Sequence, residues 1–195
     1  MFWKRKETSA PASPVPEAAP AVLTGPPLKF NSVEFRDGQQ SLFATRMTTE
    51  DMLPILPLMD EIGYDSMEMW GGATFDVAVR FLKEDPWERV RAFKRHMKRT
   101  PLKMVLRGQN LVGYKAYPDD IVEKFVEKAA EAGIDIFLIF DALQDLRNCE
   151  SAFRAVKKAG KKIEGSIQYN ISPFHTTEQF VQNALEQEKM GVSLM

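Results

Sequence analysis

Residues 119–141 read DDIVEKFVEKAAEAGIDIFLIFD, and this stretch holds one complete helix–strand unit. Its first half repeats apolar residues at helical spacing, which predicts an amphipathic helix ending at Gly133. Its second half, residues 134–140, is almost entirely apolar, as is typical of a short strand covered on both faces. The stretch therefore predicts a helix that leads into a buried parallel strand, with Asp141 at the carboxyl end of that strand.

The same alternation continues on both sides of this unit. Strands are predicted over residues 28–35, 66–70, 102–106, 134–140 and 163–169, with the start of a sixth over 192–195. Helices are predicted over residues 48–62, 75–82, 87–97, 119–132, 147–159 and 176–190. Polar residues follow several strands, at the edge where a (β/α)8 barrel carries its catalytic residues. No Gly-x-Gly-x-x-Gly loop follows the first strand, which disfavours a dinucleotide-binding open sheet.

These elements predict an α/β fold, an incomplete (β/α)8 TIM barrel of five βα units and the start of a sixth strand. A complete barrel takes eight strands and about 250 residues, whereas the chain has 195 residues. We therefore expect residues 28–195 to be the N-terminal, truncated part of a barrel, either a fragment or one half of a split protein. Its sixth-strand edge would be open and apolar.

Residues 1–27 have a different composition from the rest. Lysines and an arginine near the start precede an Ala/Pro/Ser-rich stretch, without the apolar segment of a signal peptide. This composition predicts a disordered or polyproline-II tail or linker. A tether to a partner and coding sequence upstream of the true start are the alternatives.

Composition excludes several classes of function. Hydrophobic residues make up 44% and charged residues 27% of the chain, which suits one domain with a core, and the net charge of −1 offers no basic field for nucleic acid. No apolar run approaches the ~20 residues of a membrane span. A single cysteine excludes an internal disulfide and fits a cytoplasmic protein, while two histidines exclude an all-histidine metal site.

Several residues near strand ends have side chains suited to binding an oxo acid and a cation. Arg36 can hold a carboxylate through two hydrogen bonds, and the adjacent Asp37 is a suitable ligand for a hard divalent cation. Gln40 can donate to or accept from a bound carbonyl, and Arg107 and Asp141 each follow a strand. Each residue also has a simpler alternative role. These are a surface turn for Arg36 and Asp37, a solvated loop amide for Gln40, an ion pair across the barrel mouth for Arg107 and a loop cap for Asp141.

Other polar residues are weaker candidates when taken singly. Asp76 lies in an early helical turn, where capping is the simpler role, and Tyr114 could simply pack. Cys149 lies within a predicted helix and is interpreted as structural. His96 is expected to be solvated on a basic helix end, and His175 to have a structural or capping role.

Six segments taken together resemble the biotin-dependent carboxyltransferase family. This family includes the carboxyltransferase domain of pyruvate carboxylase, the oxaloacetate decarboxylase α subunit and transcarboxylase. The likeness runs from about residue 29 to residue 195. The segments are RDGQQSLFATR (36–46), WGGATFD (70–76), EDPWER (84–89), LRGQNLVGY (106–114), FDAL (140–143) and SPFHT (172–176).

The resemblance implies a metal-dependent TIM barrel that moves CO2 between carboxybiotin and pyruvate or oxaloacetate. By motif match, Asp37 would be a ligand of a divalent metal (Zn, Mn or Co). Arg36, Gln40 and Arg107 would hold the 2-oxo acid. The metal and the arginines would stabilise the charge of an enolate.

The resemblance also implies residues for the biotin side of the reaction. Asp76 and Tyr114 would lie in the biotin pocket near the proton-transfer step, and Asp141 would be an acid close to the metal. Biotin would arrive on a separate carrier domain or subunit, because the chain has no Met-Lys-Met motif. The expected partners are a biotin carrier protein or domain, biotin carboxylase or membrane decarboxylase subunits, the missing C-terminal half of the barrel, and further copies in a homo-oligomer when complete.

The chain departs from the family pattern in two places. Residues 32–35 read SVEF where many relatives have an Asp-Thr-Thr run, which is closer to the transcarboxylase-like members. The family's metal site also uses a carboxylated lysine on the sixth strand and a His-x-His pair on the seventh, and its biotin pocket uses a later threonine. None of these is expected before Met195, so we expect the chain to be inactive alone.

Two other functions are compatible with the sequence. The chain could be a non-catalytic fragment or interaction subunit that uses its linker and open sheet edge. It could instead be a related barrel lyase of the aldol or acyl-CoA type, since those enzymes share the Arg-Asp-Gly start. The segments WGGATF and RGQNLVGY argue against the lyase.

Overall fold

The computed structural model describes Gly25 and residues 27–195, so the predicted linker lies almost wholly outside the described residues. Its sheet has five parallel strands in the order β1-β2-β3-β4-β5. They are β1 (Asn31–Ser32), β2 (Ser66–Trp70), β3 (Leu102–Leu106), β4 (Ile136–Ile139) and β5 (Lys162–Glu164). Each strand lies beside the one before it, unlike a doubly wound sheet, whose strand order reverses at a switch point. The predicted α/β fold with a parallel sheet is confirmed.

Helices connect successive strands. They are α1 (Gln39–Leu42), α2 (Thr49–Met52), α3 (Leu56–Ile62), α4 (Gly72–Val77), α5 (Pro86–His96), α6 (Asp119–Ala132), α7 (Glu150–Lys158) and α8 (Thr177–Lys189). Thr48 and Asp51 form a capping box at the start of α2, and Thr176 and Gln179 form one at the start of α8. Such boxes satisfy backbone N–H groups that have no partner in the first helical turn. Among the described residues, no helix is both long and apolar enough to cross a membrane.

The first strand is shorter than its apolar pattern predicts. The prediction of a strand over 28–35 is wrong on both sides of Asn31–Ser32: residues 28–30 lie before the strand, and residues Glu34–Gly38 form a wide helical turn. Three backbone N–H groups converge on the carbonyl of Val33, with distances of 3.2 Å from Arg36, 2.8 Å from Asp37 and 3.1 Å from Gly38. Arg36 and Asp37 are therefore held on a hydrogen-bonded turn directly after β1.

The fifth strand is also shorter than predicted. Two glutamine side chains take the place of a neighbouring strand beyond Glu164. The amide of Gln187 donates to the carbonyl of Ser166 and accepts from its N–H, and Gln144 pairs in the same way with Gln168. The predicted start of a sixth strand is present as a parallel bridge between Glu164 and Leu194.

The two faces of the sheet differ in chemistry. The face toward the helices is apolar: Trp70 is fully buried and its ring lies 5.1–5.9 Å from those of Phe75, Trp87 and Phe125. The opposite face carries charged side chains from the middle of the strands. The ammonium of Lys103 lies 3.0 Å from both carboxylate oxygens of Glu164. Buried charges must be paired in this way to offset their lost hydration.

The loop after α5 is fastened to α3 by one carboxylate. Asp60 is buried and accepts the backbone N–H groups of Lys98 at 2.8 Å, Arg99 at 3.1 Å and Thr100 at 2.8 Å. Burial alone would raise the pKa of Asp60, but these hydrogen bonds outweigh it and hold the pKa below its ordinary value. Asp60 therefore fixes the end of the sheet opposite to Arg36.

Cys149 and the two histidines contact their own surroundings in the fold, although Cys149 lies directly before α7 and not within a helix as predicted. Cys149 is free and buried, and burial together with the charges of Asp141 and Asp145 raises the pKa of its thiol to about 12. A thiol with so high a pKa is a poor nucleophile. His96 lies 2.8 Å from the carbonyl of Ala92 in its own helix, and His175 lies 2.6 Å from Ser172 before α8.

Candidate active site

Arg36 is held by carboxylates on two sides. Its Nε and Nη2 each lie 2.5 Å from Oε1 of Glu68, and its Nη1 lies 2.9 Å from Oδ1 of Asp37. Glu68 is 3% exposed in the middle of β2, whereas the side chain of Asp37 is 55% exposed. The guanidinium is thus held by a buried carboxylate on one side and by an exposed carboxylate on the other.

A two-glycine loop after β2 leaves room for two arginine side chains. A Cβ on Gly71 would lie 3.7 Å from Cδ of Arg36, and a Cβ on Gly72 would lie 2.6 Å from Nη2 of Arg107. Thr74 holds the loop in place, since its hydroxyl accepts from the N–H of Gly71 and donates to the carbonyl of Gly71. Two arginines that are 71 positions apart in sequence therefore both lie against this loop.

Arg107 shapes the loop that follows β3. Its Nη1 donates to the carbonyls of Gly113 at 2.9 Å and Val112 at 3.4 Å. Its Cζ lies 5.2 Å from the ring centre of Tyr114, within the range of a cation–π contact. Tyr114 itself is 73% exposed. The arginine thus holds an aromatic ring at the mouth of the site.

A cleft of about 410 Å³ lies between α4 and the loop after β3. Asp76 and Arg80 line one wall, with an ion pair of 2.8 Å between them, and Tyr114 and Lys115 line the other. Phe75 adds an apolar surface. The structure therefore places Asp76 and Tyr114, which are far apart in sequence, in one cleft beside Arg107.

The two glutamines after Arg36 have opposite environments. Gln39 is buried and donates to the carbonyl of Phe35 at 3.2 Å, while Gln40 is exposed on α1. Gln40, the one predicted to bind substrate, is therefore the amide free to reach a ligand. The sequence pattern alone cannot show which of the two adjacent glutamines is buried, because that depends on the wide turn after β1.

Asp141 is placed apart from the other predicted site residues. Its carboxylate accepts from the N–H groups of Leu143 at 2.9 Å and Asp145 at 3.1 Å, and from the side chain of Asn148 at 3.2 Å. These bonds organise the loop after β4, which is the capping role considered as the alternative. In the described residues no hydrogen bond joins Asp141 to Arg36 or Asp37.

The described residues do not by themselves form a metal centre. Within Gly25 and residues 27–195, no three His, Cys, Asp or Glu side chains are grouped closely enough to hold a metal ion. Asp37 is a single exposed carboxylate, and one of its oxygens is engaged by Arg36. One such ligand does not fit the several oxygen or nitrogen ligands that a divalent metal requires.

Replacing Gly72 with alanine tests whether Arg107 must lie against the glycine loop. The new Cβ would lie 2.6–2.7 Å from three guanidinium atoms of Arg107, so the guanidinium must move. We expect Gly72→Ala to weaken the binding of oxamate, a 2-oxo acid analogue, by about tenfold or more, because small displacements of a binding group are costly. Isothermal titration calorimetry would measure the change.

Gly38→Ala is the matched control for this variant. Its Cβ would meet Glu34 at an ordinary 3.8 Å, and the position has no left-handed backbone. Equal oxamate affinity in Gly72→Ala and Gly38→Ala would contradict a role for the position of Arg107.

Comparison with known proteins identifies the family. No protein-family model matches the chain. A pyruvate carboxylase subunit of Methanocaldococcus jannaschii is 62% identical over 164 residues, which are 84% of this chain and 29% of that protein. The methylmalonyl-CoA carboxyltransferase 5S subunit of Propionibacterium freudenreichii subsp. shermanii is 53% identical over 156 residues, 80% of this chain and 31% of that protein.

A solved structure shows the same fold. The carboxyl transferase domain of Rhizobium etli pyruvate carboxylase, with oxamate and biotin, aligns with a TM-score of 0.81 and 39% identity, over 85% of this chain and 29% of that one. The chain thus spans under a third of the length of the proteins it matches. Over most of its own length it belongs to the family of carboxyltransferases that includes the pyruvate carboxylase and methylmalonyl-CoA carboxyltransferase subunits.

Proposed function

We propose that this chain supplies the 2-oxo acid and biotin contacts of a carboxyltransferase that moves a carboxyl group between biotin and pyruvate or oxaloacetate. The observation that carries the proposal is that Arg36 and Arg107 lie against the adjacent glycines Gly71 and Gly72, beside the cleft of Asp76 and Tyr114. Two guanidinium groups next to a cleft suit an anionic substrate. The relative from Rhizobium etli has been solved with both oxamate and biotin.

The arginines are the substrate-binding groups in this proposal. Arg36 would bind the carboxylate of the 2-oxo acid, Arg107 would face its oxo group, and the exposed amide of Gln40 would close the site from α1. When the substrate loses or prepares to gain a carboxyl group, negative charge develops on the former oxo oxygen. Fixed cations near that oxygen stabilise the charge without having to reorganise.

Asp76 and Tyr114 would serve the biotin side. The cleft between them has a volume of about 410 Å³ and one apolar wall, which suits a small ring bearing polar groups. The hydroxyl of Tyr114 and the carboxylate of Asp76 would position biotin and hold the proton that moves to or from its ring nitrogen. Asp141 would act through the loop after β4 and not by direct contact.

We further propose that the five-stranded sheet is the first part of a (β/α)8 barrel. The sequential parallel order of the strands supports this, since a closed barrel requires it. Asp37 would be one ligand of a divalent metal (Zn, Mn or Co), and the other ligands would come from outside the described residues. When bound, the metal would act as a Lewis acid toward the oxo group.

The partners would be a biotin carrier, a biotin carboxylase or membrane decarboxylase subunit, and the rest of the barrel. A cytoplasmic homo-oligomer is part of the same proposal.

A chimeric enzyme tests the function directly. Residues 28–195 would replace the matching segment of the pyruvate carboxylase subunit from Methanocaldococcus jannaschii, and biotin-stimulated decarboxylation of oxaloacetate would be followed by coupling pyruvate formation to lactate dehydrogenase. We expect a kcat/KM within about tenfold of the unmodified relative, because the contacts proposed for the transition state are kept.

The 195-residue chain on its own is the comparison for the chimera. We expect it to show no turnover, because the proposed metal needs more ligands than Asp37. A folded chimera without biotin-dependent pyruvate formation would contradict the proposed function. Turnover by the chain alone would contradict the need for further residues.

A further inference from the structure

Glu68 is a buried carboxylate that the proposed reaction does not use. It is 3% exposed, in the middle of β2, on the face of the sheet away from the helices. Burying a carboxylate costs several kcal/mol unless a cation and hydrogen bonds compensate. The compensating cation is Arg36, whose Nε and Nη2 both lie 2.5 Å from one oxygen of Glu68.

The contact with Glu68 determines which donors of Arg36 remain free. A guanidinium has five N–H donors in a rigid plane. Glu68 occupies the side formed by Nε and Nη2, and Asp37 takes a donor of Nη1. The donors that remain on Nη1 and Nη2 are enough for the paired hydrogen bonds of a bound carboxylate, which needs two. A carboxylate at Nε also fixes the rotation of the guanidinium plane, so Glu68 sets where those donors point.

The neighbouring cation on β3, Lys103, is paired with a carboxylate other than Glu68. Lys103 is the register partner of Glu68 on β3, and its side chain is 3% exposed. Its ammonium is already held by both oxygens of Glu164 at 3.0 Å. This face of the sheet therefore carries two separate ion pairs, Lys103 with Glu164 and Arg36 with Glu68.

We propose that Glu68 is a positioning residue for substrate binding, which acts by fixing the guanidinium of Arg36. It touches no reacting atom itself. The part of the proposal that concerns a 2-oxo acid rests on the proposed function, whereas the part that concerns the orientation of Arg36 does not.

Nuclear magnetic resonance of arginine side chains tests the orientation in the 195-residue chain. The Nε–H signal of Arg36 would be assigned by its loss in Arg36→Lys. In Glu68→Gln we expect this signal to shift and its exchange with water to rise by about tenfold or more, since a hydrogen bond to a charged acceptor is lost. Glu84→Gln is the matched control, because it breaks another Glu–Arg pair, 2.7 Å from Arg89, without contacting Arg36.

An unchanged Arg36 signal in Glu68→Gln, with a changed Arg89 signal in Glu84→Gln, would overturn the proposal. If Glu68→Gln does not fold, Glu68→Asp keeps the charge but shortens the side chain. The Arg36 signal should then move in the same direction by a smaller amount, and an unmoved signal would again overturn the proposal.

Oxamate affinity separates this proposal from the proposed function. In the chimeric enzyme we expect Glu68→Gln to weaken oxamate binding by about tenfold, whereas Glu84→Gln leaves it unchanged. Equal affinity in the unmodified chimera and in Glu68→Gln would overturn the positioning role. If the folded, unmodified chimera binds no oxamate, the proposed function is contradicted, and the Arg36 signal in the 195-residue chain alone decides whether Glu68 orients the guanidinium.

Discussion

Replacing Arg36 with methionine in the chimeric enzyme should lower kcat/KM for oxaloacetate decarboxylation by about 10²–10³-fold, because two charge-assisted hydrogen bonds to the substrate carboxylate are lost. Methionine keeps most of the apolar volume of the side chain but none of its five donors. The loss should fall mainly on KM, because Arg36 is proposed to bind the substrate carboxylate, and a loss mainly on kcat would mean that it stabilises the enolate instead. Steady-state kinetics with oxaloacetate measure both.

A fall in activity could also come from the damaged ion pair. Arg36→Met leaves the carboxylate of Glu68 buried without a cation, which costs about 3–5 kcal/mol of stability. The double variant Arg36→Met/Glu68→Met removes both charges and should recover the melting temperature but not the activity. Arg147→Met, at a surface arginine with an 84% exposed side chain, should change neither. Recovered activity in the double variant would contradict a direct role for Arg36.

The carboxyl ends of β2 and β3 could be predicted, because their apolar patterns stop at residues typical of a strand end. An apolar run marks a buried parallel strand, and a polar residue directly after it must lie at the carboxyl edge of the sheet. Arg107 follows β3 in just this way, and the bounds of β2, β3 and α6 are those predicted. Arg36 and Arg107 lie against the Gly71–Gly72 loop, whereas Asp141 lies apart in the loop after β4, and nothing in the sequence gives these positions.

The buried ion pairs of Glu68 and Lys103 could not be predicted from the sequence, for a physical reason. Glu68 and Lys103 each occur once within an otherwise apolar strand, where a single charge suggests an exposed position. Only the pairing of distant strands shows that Lys103 meets Glu164, 61 residues away, and that Glu68 meets Arg36. A pattern of period two would put Glu68 on the same face as Trp70, but a register shift between them pairs Glu68 with Lys103 and Trp70 with the next residue, Met104, and so separates their faces.

The second large effect concerns stability. Asp60→Ala should lower the free energy of unfolding by about 3–4 kcal/mol, because buried donors without partners cost about 1–3 kcal/mol each. Three backbone N–H groups would lose their acceptor, and that of Thr100 is buried. For a domain of this size the melting temperature should fall by about 6–16 °C. Urea unfolding followed by circular dichroism measures the change.

The stability that Asp60 contributes should depend on pH, because its hydrogen bonds are made to the ionised carboxylate. Three backbone donors hold the pKa of Asp60 below its ordinary value of 3.8. A carboxyl with a lowered pKa in the folded state adds stability above its unfolded pKa, and loses that contribution as the pH falls through its folded pKa. The difference between wild type and Asp60→Asn should therefore be constant from pH 7 to about pH 5 and narrow below about pH 4.

Asp51→Asn separates burial from capping. Asp51 bonds to Thr48 in an exposed capping box, and these bonds also lower its pKa. Water can replace its hydrogen bonds when the charge is lost, so the loss of stability should be clearly smaller than in Asp60→Asn. Equal losses would mean that the three donors of the loop after α5 are rehydrated without cost. In that case Asp60 would not fasten the end of the sheet opposite to Arg36.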